Sequence, residues 1–194
     1  MPWRPGRAAC TIGGVRKVNV VVLATAITAA LLVWAYRALG PASVGFAFLA
    51  VWLPMTALGT ISHVVTPHLP AGYHRLRSFE LDGRVYERVG VRLVKRLLRR
   101  GPLAVFNPGL HLPAERTSEQ LARLDQKMRD AEASHAILLV LTLAVVAHAA
   151  IRGWWVAASC TLLFDLLVNG YPVMLQRYNR ARLQQRFGTI RRAD

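Results

Sequence analysis

Acidic residues are scarce in this sequence: ten aspartates and glutamates stand against 25 lysines and arginines, and the formal charge is +15. Cysteine is rarer still, and the two that occur, Cys10 and Cys160, are too few for the disulfide framework of a secreted domain. The Gly-x-Ser-x-Gly motif of α/β-hydrolases is missing. So is a histidine followed by aspartate five positions later, the motif of common glycerolipid acyltransferases. His63, His68 and His74 share a proline-broken loop without further ligands, so we expect no metal site.

Long apolar segments are what the sequence has instead, because 54% of its 194 residues are hydrophobic. These segments cover four ranges: about 18–36, 44–62, 131–151 and 154–175. Each can cross about 30 Å of hydrocarbon as a helix, the third only if its helix starts near Ala131. The first lacks a clear cleavage site, which favours a retained anchor over a signal peptide. The sequence therefore predicts an all-α polytopic membrane protein with four transmembrane helices, forming a single membrane domain over 1–194.

Basic residues flank these segments unevenly. The N-terminal stretch carries four lysines and arginines, the stretch 75–130 thirteen, and the tail beyond Leu175 six, whereas the loops around Arg37 and Arg152 carry one each. Lysine and arginine collect on the cytoplasmic side of membrane proteins. We therefore expect a multi-pass protein of the cell membrane with both termini in the cytoplasm.

The long region between the second and third segments, about 66–130, is predicted to lie at the cytoplasmic interface. From Val85 to Leu98 its apolar residues fall at helical spacing. The opposite side is basic: Arg88, Arg92, Lys95, Arg96 and Arg99. Such an amphipathic helix lies in the headgroup layer and binds anionic lipid, or part of its basic face binds a phosphate-bearing substrate. Nucleic acid is disfavoured as a partner, since no nucleic-acid fold pattern appears. A basic helix is also expected at the C-terminus, over 176–194.

A second amphipathic segment begins at Thr117, where Thr-Ser-Glu-Gln fits a capping box with Gln120. It continues at spacings of three and four to Glu132 and His135, where the third apolar segment takes over. A carboxylate three residues before an imidazole can orient it and stabilise its protonated form, as a general base requires. The alternative is that Glu132 and His135 only finish the polar end of a helix.

The last apolar segment carries a polar stripe at intervals of three or four residues. Its members are Asp165, Asn169, Pro172, Gln176 and Asn179. A central aspartate costs about 2.5–3.5 kcal/mol in hydrocarbon, so the stripe is expected to face other helices. A short loop joins the third and fourth spans, which brings Glu132 and His135 to about the depth of Asn169 to Gln176. The stripe forms either interhelical hydrogen bonds or a substrate cavity.

Three stretches stand out together: FELDGRVYERVGVRLVK, then AEASH opening an apolar helix, then NGYPVMLQRYNRARL closing the last span. From about Tyr73 to Arg186 the chain resembles the glycosyl-4,4'-diaponeurosporenoate acyltransferase family. The resemblance implies an integral membrane enzyme that esterifies a sugar hydroxyl of a carotenoid glycoside with a fatty acyl group. It also carries a set of motif positions over to this chain. These are Glu80, Arg92, Lys95, Glu132, His135, Asn169, Gln176, Arg177, Tyr178, Asn179, Arg180 and Arg182.

The expected mechanism joins the motif positions to the residue patterns. His135, oriented by Glu132, would take the proton from a glycolipid hydroxyl as that hydroxyl attacks an acyl carbonyl. The developing oxyanion would accept hydrogen bonds from an amide among Asn169, Gln176 and Asn179. Asp165 belongs to the same substrate-facing stripe.

No resident cofactor is expected, and acyl-coenzyme A is one candidate for the donor. Its phosphates would then bind Arg177, Arg180 and Arg182, whose planar guanidinium groups suit phosphate oxygens. The expected partners are the lipid bilayer, a glycolipid acceptor and an acyl donor; a homo-oligomer or a partner membrane enzyme stays open. The competing interpretation is a non-catalytic membrane adaptor that recruits anionic lipid or a partner enzyme through its basic helices.

Overall fold

The computed structural model describes residues 7–100 and 117–188, with the side chains of 14–96 and 117–188. The predictions for the most N-terminal residues, for part of the interfacial region and for the last six residues of the basic C-terminal helix lie outside the described residues. Within them the chain forms helices and no strand, which confirms the all-α prediction. In chain order they are α1 (Arg7–Leu39), α2 (Val44–Ser62), a short 3-10 helix (Ser78–Glu80), α3 (Arg84–Arg88), α4 (Val91–Arg100), α5 (Ser118–Ile151), α6 (Trp155–Asp165), a π-helical turn (Leu166–Gly170) and α7 (Tyr171–Phe187).

Four stretches of the described chain are long and apolar enough to cross a membrane, as predicted. They are Gly14–Leu39, Val44–Ser62, Ser118–Ile151 and Trp155–Phe187. The third starts earlier than near Ala131, because the amphipathic segment and the apolar segment form one continuous helix. Thr117 caps it by accepting a hydrogen bond of 3.3 Å from the Gln120 N–H at Oγ1, and neither glycine nor proline interrupts the chain from there to Ile151.

The chain divides into two compact units, the first consisting of Met1–Pro67 and Leu138–Asp165. In this unit α1 packs on α2, and α2 packs on α6. Alanines make up much of its interior, among them Ala35, Ala47, Ala50, Ala157 and Ala158. Small residues let helix backbones approach closely, which is how helices associate where lipid leaves little hydrophobic driving force between them.

The second unit, His68–Ile137 and Leu166–Asp194, is built around α7. One apolar cluster joins α7 to α3 and α4: Tyr86, Val91, Leu175 and Tyr178. Another joins the start of α5 to the end of α7: Leu121, Met128 and Leu183. Helix α7 ends at Phe187, since Gly188 has a φ of +74° that ends a helix readily. The prediction of one membrane domain over 1–194 stays a prediction.

The predicted continuous helix from Val85 to Leu98 is wrong at its centre, because α3 ends at Arg88 and α4 starts at Val91. Gly90 between them has a φ of +80°, in the left-handed region that glycine adopts without steric cost. The Tyr171 hydroxyl donates to the carbonyl oxygen of Val89 and so binds the break to α7.

A π-helical turn interrupts the fourth span at Leu166–Gly170. Pro172 explains its position: proline has no N–H for the carbonyl of Val168, four residues earlier, and its ring clashes with that carbonyl. Widening the helix relieves the clash, and π-turns of this kind are frequent at functional sites. The predicted stripe is therefore not one α-helical row, because its phase changes between Asp165 and Gln176.

Candidate active site

Arg177 on α7 is the centre of a buried ionic network in the second unit. Its Nε and Nη2 donate to the two Glu80 carboxylate oxygens at 2.7 and 2.8 Å, and its Nη1 donates to Glu132 Oε1 at 2.7 Å. The backbone carbonyls of Tyr73 and Arg75 accept from Nη1 and Nη2 at 3.1 and 3.3 Å. These bonds engage all five N–H donors of a guanidinium group. Arg177 therefore binds the protein rather than a donor phosphate.

Arg180 extends the network by one turn and is 1% exposed. Its Nη1 donates to Glu132 Oε2 at 2.7 Å, its Nε to Asp125 Oδ1 at 3.0 Å, and its Nη2 to the His74 carbonyl at 2.6 Å. Asp125 Oδ2 in turn accepts from Arg129 at 2.6 Å. Three carboxylates thus meet three guanidinium groups, and the network is neutral, as buried charges require.

Glu80 belongs to the part of the network that lies outside the spanning helices, and it is 4% exposed. Burial by itself would raise the pKa of this carboxyl, but hydrogen bonds from Arg177, from the Arg77 N–H and from the Tyr86 hydroxyl outweigh it and lower the pKa to about 2. Burial and the Glu80 carboxylate together raise the pKa of Tyr86. Glu80 is therefore a structural carboxylate that is ionised at neutral pH.

Glu132 and His135, predicted as a pair, have separate partners. Both Glu132 oxygens accept from arginines, whereas His135 Nδ1 lies 3.1 Å from Asn169 Oδ1. The reason is electrostatic, because a fully buried carboxylate is stabilised most by the two guanidinium groups on the facing helix. Asn169, in the π-turn and 0% exposed, is thus the residue that orients the imidazole of His135.

His74 is a neighbour of Glu132 that the sequence analysis missed. It is 6% exposed, and its Nδ1 lies 3.5 Å from Glu132 Oε2. Burial lowers the pKa of His74, although the Glu132 carboxylate acts in the opposite direction. The sequence pattern of this loop bears only on metal ligation. The contact with Glu132 depends on how the loop is held against α7, and that pattern does not indicate it.

Other predicted residues lie along α4 and α7. Lys95 Nζ donates to Asn179 Oδ1 at 2.6 Å and lies 5.3 Å from the centre of the Tyr178 ring. Glu87 accepts from the Tyr178 hydroxyl at 3.0 Å and pairs with Arg92 at 3.3 Å.

Three further predicted residues also take no part in the ionic network around Arg177. Arg182 donates to Gln185 Oε1 at 3.0 Å. Gln176 is 5% exposed, and its Oε1 has no hydrogen-bond partner within the described part of the chain. Asp165 is fully buried at the end of α6, in the first unit. Roles of these residues in binding substrate stay predictions.

Charge spacing could have revealed the network. Asp125 and Glu132 lie seven residues apart on one face of α5, and Arg177 and Arg180 lie three apart on α7. Complementary charges at helical spacing on two neighbouring helices indicate a buried pairing. The positive charge beyond Leu175 favoured a membrane anchor instead, and the pairing of these arginines with acids of α5 was therefore not predicted.

Comparison with known proteins identifies a family for most of the second unit and the end of the chain's described part. The family model for glycosyl-4,4'-diaponeurosporenoate acyltransferase matches residues 70–188, which include the whole network described above. No curated protein and no solved structure matches the chain.

Proposed function

The chain belongs to the glycosyl-4,4'-diaponeurosporenoate acyltransferase family, and from this premise we propose that it esterifies a sugar hydroxyl of a carotenoid glycoside or related glycolipid with a fatty acyl group. The family description supports an acyltransferase, and the four apolar helices support a membrane location. The single observation that favours chemistry at this site is the contact between His135 and Asn169.

That contact prepares His135 to accept a proton. The Asn169 side-chain oxygen is only an acceptor, so Nδ1 of the imidazole carries the hydrogen and Nε2 keeps its lone pair. In the proposed reaction Nε2 takes the hydroxyl proton while the hydroxyl oxygen bonds to the acyl carbon. The tetrahedral adduct then expels the leaving group with the electron pair of the broken bond, and the imidazolium returns the proton to it.

Amide groups on α7 are the candidates for stabilising the oxyanion. Asn179 engages Lys95 through its oxygen, which leaves its NH₂ group as a donor. Gln176 carries a buried oxygen suited to a substrate hydroxyl. If the donor is acyl-coenzyme A, its phosphates bind the basic residues of α4 and the end of α7, such as Arg92, Lys95 and Arg182, because Arg177 and Arg180 hold carboxylates.

The test compares total lipids of cells with and without the protein by mass spectrometry, alongside an Asn169→Leu variant. We expect an acylated glycolipid with the native protein and roughly ten- to a hundredfold less with the variant, since general base catalysis contributes at least that much. Thr142→Val, which changes another buried polar residue of a spanning helix, is the matched control. Identical lipids in all cells would favour a membrane adaptor. Glu132 variants cannot decide the question, because they also remove a carboxylate partner from Arg177 and from the buried Arg180.

A further inference from the structure

The chain segment Tyr73–Arg75 is held against α7 by three consecutive carbonyls. Those of Tyr73 and Arg75 accept from Arg177 at 3.1 and 3.3 Å, and that of His74 accepts from Arg180 at 2.6 Å. Both guanidinium groups are also paired with carboxylates, that of Arg180 being buried, and the bonds to the carbonyls are charge-assisted. The side chains of Tyr73 and His74 are consequently presented from a rigid backbone, as a binding site requires.

His74 offers a neutral hydrogen-bonding group. Its Nδ1 lies 3.5 Å from Glu132 Oε2 and has no hydrogen-bond partner within the described residues. The nearby carboxylate favours the tautomer with the proton on Nδ1, which leaves Nε2, on the other side of the ring, as the acceptor. Burial lowers the pKa of this imidazole, so it is uncharged at neutral pH. A neutral acceptor suits a hydroxyl rather than a phosphate.

Tyr73 offers an aromatic surface beside that acceptor. It is 38% exposed, its ring stands at 84° to the His74 ring with the ring centres 5.2 Å apart, and the Arg177 guanidinium carbon lies 5.8 Å from its centre. An exposed aromatic face next to planar polar side chains is suited to a pyranose, whose C–H face is apolar and whose edge carries hydroxyls.

We propose that Tyr73 and His74 form the subsite that holds the sugar ring of the acceptor. Tyr73 packs against the C–H face of the sugar, and His74 Nε2 accepts a hydrogen bond from a hydroxyl other than the one that is acylated. The inference rests on the proposed function, because the sugar belongs to the same acceptor. The subsite lies close to the proposed base His135. Glu132, which contacts His74, lies one turn from His135 on α5, a separation of about 5–6 Å between Cβ atoms. The subsite selects glycosylated over unglycosylated acceptors.

Direct binding tests this without any acyl transfer. The full chain in lipid nanodiscs is mixed with octyl β-glucoside, and saturation-transfer NMR of the sugar ring protons is measured after subtracting empty nanodiscs. Octyl pentaethylene glycol, which has the same tail and no sugar, reports binding of the chain alone. The variants are Tyr73→Ala, Tyr73→Phe and His74→Gln, with Tyr36→Ala as control, a tyrosine of the first unit that is 50% exposed.

We expect Tyr73→Ala and His74→Gln to weaken glucoside binding about tenfold, while Tyr73→Phe and Tyr36→Ala stay within about twofold and the tail probe is unaffected. Native protein that gives no more sugar signal than empty nanodiscs, or Tyr73→Ala that binds like the native chain, overturns the subsite. If His74→Gln fails to fold, Tyr73→Ala decides, because its side chain accepts or donates none of the network's hydrogen bonds. Sugar binding without acyl transfer would overturn the proposed function and leave the subsite standing.

Discussion

At the scale of single residues, Arg180 shows how the chain uses its few acids. Its three nitrogens donate to Asp125, to Glu132 and to the His74 carbonyl, and a planar fork is required to reach all three. A lysine keeps the charge and cannot reproduce that geometry. The residue that looked like a membrane anchor therefore holds α5, α7 and the loop before the 3-10 helix together.

We predict that Arg180→Lys lowers the stability of the detergent-solubilised protein by about 2–4 kcal/mol, because a lysine cannot reach all three acceptors and leaves carboxylate or carbonyl oxygens without their donor. Thermal unfolding followed by circular dichroism measures the change. Arg186→Lys is the matched control, since Arg186 is an exposed arginine of the same helix. Equal midpoints for the two variants would show that Arg180 only supplies charge.

Glu80 predicts a dependence of stability on pH. Its pKa falls from the ordinary value of 4.5 to about 2, so the folded state binds this proton less readily than the unfolded state. The stabilisation is therefore complete above about pH 4.5 and is lost as the pH falls towards 2. We expect Glu80→Gln to lower the unfolding midpoint at pH 7 and the difference from the native protein to shrink below pH 4.5.

The same titration should leave Asp82→Asn close to the native protein throughout, because Asp82 is exposed and its oxygen that accepts from the Arg84 N–H is retained in asparagine. A Glu80→Gln difference that stays constant down to pH 2.5 would contradict the assigned role of this carboxylate.

At the scale of elements, the packing of α3 on α7 depends on a glycine. Gly83 has a φ of +72°, and a Cβ there would meet the Tyr178 ring at 3.1 and 3.2 Å. Gly153, which follows α5, has nearly the same φ, +75°, with no atom within 4 Å of its Cβ position. The Trp154 N–H donates to the Ala149 carbonyl across it at 2.9 Å, as in a left-handed helix cap. Alanine costs about 1–2 kcal/mol at either left-handed position through the backbone, so the two substitutions differ mainly in the contact with Tyr178.

We predict that Gly83→Ala is more destabilising than Gly153→Ala, with the excess arising from displacement of Tyr178. Thermal unfolding of both variants and of the native chain measures it. The excess should disappear when each substitution is made in a Tyr178→Leu background, which removes the ring. Equal losses from the two glycines in the native background would show that α3 does not pack against α7 as described.

Sequence patterns predicted the helices better than the connections between them. The four spans followed from apolar length, and the early start of α5 was indicated by its Thr117 cap, although the third span was placed later. The break at Gly90 was not predicted, because apolar spacing continues across it. The contact that fixes it joins Tyr171 to Val89, two residues 82 positions apart in the sequence. The bond between Arg177 and Glu80 likewise joins residues 97 apart, and no periodic pattern reports such a pairing.

At the scale of the whole molecule, the orientation in the membrane is still a prediction from the distribution of lysine and arginine. It is tested by replacing both native cysteines with serine and introducing one cysteine at Asp82 or at Arg152. We expect an impermeant thiol reagent to label Arg152→Cys in intact cells and Asp82→Cys only after permeabilisation. The reverse pattern would place the site on the outer face.

The central claim is that a histidine held by Asn169 transfers a proton during ester formation on a glycosylated acceptor. The most direct measurement is mass spectrometry of the product formed by the purified protein in nanodiscs, given a glucosylated carotenoid and isotope-labelled acyl-coenzyme A. The account predicts an ester carrying the labelled acyl group with the native protein, and about a hundredfold less with His135→Ala at unchanged thermal stability. Undiminished ester formation by His135→Ala, or none by the native protein with this acceptor and donor, would contradict it.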